Sequence, residues 1–285
     1  MNSRDSVGES PLWCDRTLKL WWVDIYGPCL QSFDPSTGRH EVVPVPGKML
    51  GSFGLCQSGR FVLAMEDGLY VFDPASGRRE LVATVAETGK PNNRLADGKC
   101  DPLGRYWVGT MNEVAREPDG ALYCIAANGS STRILQSIIV PNAACFSPDG
   151  RIFYFADSRR FTIWAFDFDL DSGRVSKQRV FRDTTGHPGR PDGAVVDTDG
   201  CVWTAEYVGG RLVRYTPAGE IDRVIELPVS HPTSCAFGGN DMKTLFVTSA
   251  TRPLSADALA AEKFAGSLLA IDVHVGGFPE RRFAA

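Results

Sequence analysis

The sequence predicts an all-β fold, a six-bladed β-propeller with four-stranded antiparallel blades around a central channel. Three observations predict it. A strand and turn unit recurs six times at a spacing of about 40 to 50 residues, the length of one blade. Each unit is rich in β-branched and aromatic residues and is bounded by Asp, Gly and Pro. Only one segment carries a run of good helix formers. Blades closed into a ring leave only short, protected edges. A two-sheet sandwich of similar strand count has no reason to repeat at blade length.

The first strand of the unit is the apolar run that follows each turn, at residues 18–24, 59–64, 104–110, 150–157, 200–205 and 243–248. The second ends in a polar turn, as in Phe33-Asp34-Pro35-Ser36-Thr37-Gly38 and Phe72-Asp73-Pro74-Ala75-Ser76-Gly77. It returns at 122–129, 166–173 and 212–219, and as the run 268–271. The helix-forming exception is 255–264, where Ser255 serves as an N-cap for a short helix or turn. Residues 167–173 imitate the start of a calcium loop, but the glycine comes one place late and the twelfth position is Gln178, so they read as a hairpin turn. No linker or low-complexity segment interrupts the pattern, and residues 1–285 read as one propeller domain.

With 34 acidic against 30 basic residues the net charge is −4, and no basic run exceeds a pair such as Arg159-Arg160. This excludes a nucleic-acid footprint. No apolar window approaches the roughly 18 residues of a membrane span, and the N-terminus lacks a signal peptide, so a cytoplasmic monomer is the default expectation. The eight cysteines are scattered singly, without zinc-ligand spacing, and read as small buried hydrophobes in a reducing compartment. Only four histidines occur, two of them directly before proline, which leaves acid and base chemistry to carboxylates or a metal. There is no G-x-S-x-G elbow for a serine nucleophile.

Departures from the repeat mark the functional candidates, at 8–13, 92–99, 141–150 and 191–197. In three of them a polar residue beside Pro or Gly opens a short apolar strand and points into the channel. These are Glu9, Asn142 and Asp192. Two carboxylates and an amide oxygen form a hard set suited to Ca²⁺, Mg²⁺ or Mn²⁺; the alternative is that the carboxylates cap backbone turns. Arg94 reads either as a clamp for a ligand oxygen or as a surface ion pair. Trp13, Met49, Phe53 and Val114 are candidates for the pocket wall or for the blade core.

The segments Gly8-Glu9-Ser10-Pro11-Leu12-Trp13, 94–111, Ser147-Pro148-Asp149-Gly150, Pro191-Asp192-Gly193 and Phe237-Gly238-Gly239 resemble the SMP-30/gluconolactonase/regucalcin family over nearly the whole chain. That resemblance implies a six-bladed sugar lactonase with one divalent cation (Ca, Mg, Mn, Zn or Fe) held by Glu9, Asn142 and Asp192. It implies Asp192 as general base and a small-molecule lactone bound through Arg94, position 96 and Glu113. Four positions depart from the family pattern: Ala96 stands where Asn is usual, Val114 where a second acidic residue is, and Ser10 and Ala143 where glycines are. Ala96 and Val114 point to altered sugar recognition. Two rival readings follow, hydrolysis of another ester on the same metal site and a noncatalytic propeller that binds a protein partner.

Overall fold

The computed structural model describes residues 1–285 and is built almost wholly of antiparallel strands. Blade one contains β1 (Gly8–Cys14), β2 (Lys19–Asp24), β3 (Cys29–Asp34) and β4 (Arg39–Pro44). Blade two contains β5 (Leu50–Leu55), β6 (Phe61–Met65), β7 (Leu69–Asp73) and β8 (Arg78–Ala83). Blade three contains β9 (Asn93–Cys100), β10 (Tyr106–Asn112), β11 (Gly120–Ile125) and β12 (Ser131–Ile138). Blade four contains β13 (Pro141–Phe146), β14 (Ile152–Asp157), β15 (Thr162–Asp169) and β16 (Arg174–Asp183). Blade five contains β17 (Arg190–Val196), β18 (Val202–Tyr207), β19 (Arg211–Tyr215) and β20 (Ile221–Glu226). Blade six contains β21 (Pro232–Gly238), β22 (Thr244–Ser249) and β23 (Leu269–Asp272), with the N-terminal segment against its edge, where Met1 and Leu268 exchange backbone hydrogen bonds.

Burial falls steadily from the first strand of each blade to the last. All residues of β1, β5 and β21 are buried, whereas β8, β16 and β20 are largely exposed. First strands therefore line the channel, and each packs on the first strand of the next blade, with β21 closing back onto β1. Between blades the core is aromatic, with Trp107, Phe146, Phe153 and Phe168 stacked edge to face or tilted across blades three and four. The turns into second strands are pinned by buried aspartates. Asp101 accepts the Trp107 indole N–H at 3.0 Å and two turn N–H groups, and Asp197 accepts the Trp203 indole at 2.8 Å together with the Arg214 Nε–H at 2.8 Å.

The expected helix is α1 (Ala256–Ala261), capped by Ser255, whose Oγ accepts the Ala258 N–H at 3.2 Å. The calcium-loop imitation is the hairpin between β15 and β16, where Asp169 accepts the Ser172 N–H and hydroxyl. No helix is long and apolar enough to cross a membrane.

One irregularity repeats around the ring. Every first strand carries a bulge near its beginning, with one extra residue relative to its partner. Bulges bend a strand and re-aim its side chains. Glu9 stands at the bulge of β1, Asn142 at that of β13, and Asp192 within that of β17.

Candidate active site

A cavity of about 420 Å³ opens at the end of the channel where the first strands begin. Glu9, Arg94, Ala96, Glu113, Asn142 and Asp192, the residues singled out in the sequence, all line it. Its outer wall comes from the loops that join second to third strands, which supply Tyr26, Arg116, Arg159, Val208 and Arg252.

The floor is carboxylate chemistry in a dry place. Glu9 is 6% exposed and Asp192 9%. Burial, then the neighbouring Asp97 charge, pushes the Glu9 carboxyl up to about 8. Burial and the charges of Glu9 and Asp97 likewise drive Asp192 well above the usual carboxylate range. Both shifts report negative charge packed where water cannot screen it. Asn142 completes the set. Its Nδ2 donates to Ser158 Oγ at 2.8 Å, and Ser158 donates to the Pro191 carbonyl at 2.6 Å, so Ser158 ties the Asn142 strand to the Asp192 strand. With the amide nitrogen committed, Oδ1 has no partner in the protein. Asp192 accepts no side-chain hydrogen bond, and Glu9 accepts only the Ser10 backbone N–H at 2.8 Å.

These donors fit a hard divalent cation. They are all oxygen, two are buried anions whose mutual repulsion a cation would relieve, and the third is an amide oxygen left free by its own hydrogen bond. No three His, Cys, Asp or Glu side chains are gathered as a metal cluster, so Asp97 does not join Glu9 and Asp192 in one ligating group. Asp97 accepts the Ala144 N–H at 3.3 Å and is itself raised by burial.

Beside the floor, Arg94 Nε donates to Glu113 at 2.6 Å, and Glu113 also pairs with Arg116 at 3.0 Å and accepts the Tyr26 hydroxyl. Burial works to raise the Glu113 carboxyl, but Arg94, Tyr26 and Arg116 outweigh it and hold it below the usual range. Arg94 also donates to the Leu95 carbonyl at 3.0 Å, which fixes its buried guanidinium in place.

The four candidates for the pocket wall or the blade core divide here. Trp13 and Phe53 lie in the blade core, Met49 stands apart from the cavity, and Val114 is 71% exposed on the loop after β10. The chain turns outward at Val114 because Asn112 Oδ1 accepts its N–H at 3.0 Å and that of Ala115 at 2.8 Å. Arg116 enters the wall instead, so the cavity is more polar than Val114 suggested. Sequence reading also left Asp97, Ser158, Arg159, Arg190, His231 and Arg252 unassigned. Asp97 lies inside a segment marked as a departure from the repeat and Arg190 opens β17 one residue before another, whereas the others enter from segments without any motif. His231 lines the rim with Nδ1 against Ser230 Oγ at 2.6 Å, and burial lowers its pKa.

Fold and site together define a six-bladed propeller with a carboxylate and amide centre at the mouth of its channel. The chain belongs to the SMP-30/gluconolactonase/LRE-like family, whose model matches residues 7–251. It is 35% identical to the 6-deoxy-6-sulfogluconolactonase of Pseudomonas putida, over 98% of this chain and 95% of that one. It is 33% identical to regucalcin of Gallus gallus, over 99% and 96%. A crystal structure of a calcium-binding protein, regucalcin, from Agrobacterium tumefaciens superposes with a TM-score of 0.95 at 32% identity, covering 100% of this chain and 96% of that one.

Proposed function

We propose that the protein is a metal-dependent lactonase that opens the cyclic ester of a sugar lactone, an aldonolactone such as gluconolactone, to the sugar acid. The observation that carries this reading is the floor of the cavity, where Glu9, Asp192 and the free Oδ1 of Asn142 meet beside an oriented arginine. The family and its lactonase relative support the same class, and the calcium-binding structural relative supports a divalent cation.

Glu9, Asn142 and Asp192 would hold the cation. Bound there, it would act as a Lewis acid toward the lactone carbonyl and the oxyanion that hydrolysis develops. Arg94 orients the substrate through donors that Glu113 and the Leu95 carbonyl keep in place. Asp192 takes the proton from the attacking water, its carboxylate lining the cavity floor with no side-chain hydrogen bond to occupy it. A lactone keeps its leaving group tethered, so the proton is returned to the ring oxygen as the alkoxide leaves. The small Ala96 side chain offers no hydrogen bond at its place in the wall and gives the sugar space there instead. A cytoplasmic setting belongs to this reading, supported by eight cysteines that are all unpaired.

The test is acid release from a panel of aldonolactones with spontaneous hydrolysis subtracted, before and after chelation. Asp192→Asn is expected to lower kcat by about 100-fold or more with the circular dichroism spectrum unchanged. Full activity in that variant toward every lactone, or activity that survives complete metal removal, overturns the reading.

A further inference from the structure

The cavity is lined by five arginines, and only two of them are engaged by a carboxylate. Arg94 and Arg116 share Glu113. Arg159, Arg190 and Arg252 line the same cavity and have no carboxylate within ion-pair distance. Arg160, one residue from Arg159, does pair, with Asp157 at 3.3 Å. An arginine without a partner is ordinary on an open surface. Three of them on the wall of one cavity is a different matter, because like charges facing one another over a shared space repel until an anion enters.

Their placement divides the cavity into two chemistries. The carboxylates Glu9 and Asp192 are buried on the floor, while Arg159 and Arg252 are exposed and Arg190 is half-buried, which sets them outward of it. Arg190 is close enough for its charge to act on both Asp192 and His231, so it spans floor and rim. Arg252 is held by its guanidinium lying 4.2 Å over the Tyr26 ring, an arrangement that leaves its N–H edge free to donate. Guanidinium groups donate only. A neutral polyol needs acceptors as well as donors to satisfy its hydroxyls, and Glu113, the carboxylate beside the outer wall, is already taken up by Arg94, Arg116 and Tyr26. A wall of donors with positive charge matches an oxyanion.

We propose that the lactone carries a second, anionic group at the end of its carbon chain remote from the ring ester, a carboxylate, sulfonate or phosphate ester, which Arg159, Arg190 and Arg252 bind. The proposal rests on the lactonase reading for the identity of the ring, but its charge preference is measurable without turnover. The lactone carbonyl meets the carboxylate floor and the anion meets the arginine rim, so charge fixes which end of the substrate enters first.

The experiment compares gluconolactone with lactones of the same chain that carry a terminal phosphate, sulfonate or carboxylate, with magnesium present and background hydrolysis subtracted. At least one charged lactone is expected to exceed gluconolactone about tenfold in kcat/KM, mainly through KM, with an advantage that shrinks as salt rises. In an Arg159→Gln/Arg252→Gln double variant that ratio is expected to fall toward one. The rank among the three charged lactones assigns the anion. Equal rates for charged and neutral lactones, or a preference unchanged in the double variant, overturn the inference and leave lactone hydrolysis standing. Calorimetry with gluconate and 6-phosphogluconate separates the two readings. If no lactone is hydrolysed, the lactonase reading fails, yet about tenfold tighter binding of the phosphorylated acid, lost in the double variant, still supports the anion site; equal affinities overturn it.

Discussion

Ser10 and Ala143 follow Glu9 and Asn142 and occupy left-handed backbone, with φ of 51° and 55°. The bulges force this conformation, because the extra residue must turn the strand so that the preceding side chain reaches the channel. For a residue with a Cβ it costs about 1–2 kcal/mol. Ser10 also buries a hydroxyl that has no hydrogen-bond partner. Ser10→Gly is therefore expected to stabilise the protein by about 1 kcal/mol, raising Tm by about 2–4 °C in a calorimetric scan. Asp192 is followed by Gly193 for a different reason, since a Cβ there would stand 2.0 Å from Ser234 Oγ. The sequence displayed Ser10 and Ala143 as departures from a family pattern, but the bulge that makes them costly is a pairing fact that no single strand reveals. Glu9 carries a prediction of its own. Its folded-state pKa of about 8 lies above the ordinary 4.5, so the folded chain binds a proton that the unfolded chain has released. Stability of the chelated protein is expected to fall as pH rises from about 5 to 8. Added divalent cation is expected to raise Tm more at pH 8 than at pH 5, because binding requires the deprotonated carboxylate. A cation effect equal at both pH values would contradict this.

At the scale of the element, the turns into second strands carry much of the fold. Asp197 is fully buried and binds the Trp203 indole, the Arg214 guanidinium and the Asp199 and Cys201 N–H groups at once. Asp197→Ala is expected to cost about 3 kcal/mol, because it strands a buried indole N–H and removes one of the carboxylates that neutralise Arg214. Urea denaturation followed by tryptophan fluorescence would read it. Second and third strands were legible because an Asp, Gly or Pro turn precedes or follows an apolar run that must be buried on both faces. The outer strands were not, since β8, β16 and β20 are polar and exposed and take their form from pairing with an inner neighbour. The short helix was legible because Ser255 announces it and nothing apolar competes for the segment.

For the whole molecule, closure depends on both chain ends. The N-terminal residues pair with the strand edge of blade six, while Phe283 bridges to Cys56 in blade two. Glu280 reaches into the channel and binds Lys99 at 2.8 Å, with the two side chains 9% and 17% exposed. Burial alone would lower the Lys99 pKa, but Glu280 more than compensates and raises it. Glu280→Gln is expected to destabilise the protein by about 3 kcal/mol by leaving the lysine charge without its partner, and a Lys99→Met/Glu280→Leu double variant is expected to recover most of that loss. Equal instability in single and double variants would show that the tail acts through packing instead. The ligand candidates were readable because they open repeated strands. The arginine rim was not, since Arg159, Arg190 and Arg252 come from loops and a strand start that converge only once the ring has closed.

The bulges place Glu9, Asn142 and Asp192 on blades one, four and five, with Arg94 on blade three. Blades four and five carry only two of the three ligand candidates, and the third, on blade one, meets them only because β21 packs on both β17 and β1 and closes the ring. Under the proposed metal reading, cation affinity would therefore gauge annular integrity: a lesion that merely loosens one blade, far from any ligand candidate, is expected to register first as a weakened metal titration and only later as lost strand signal.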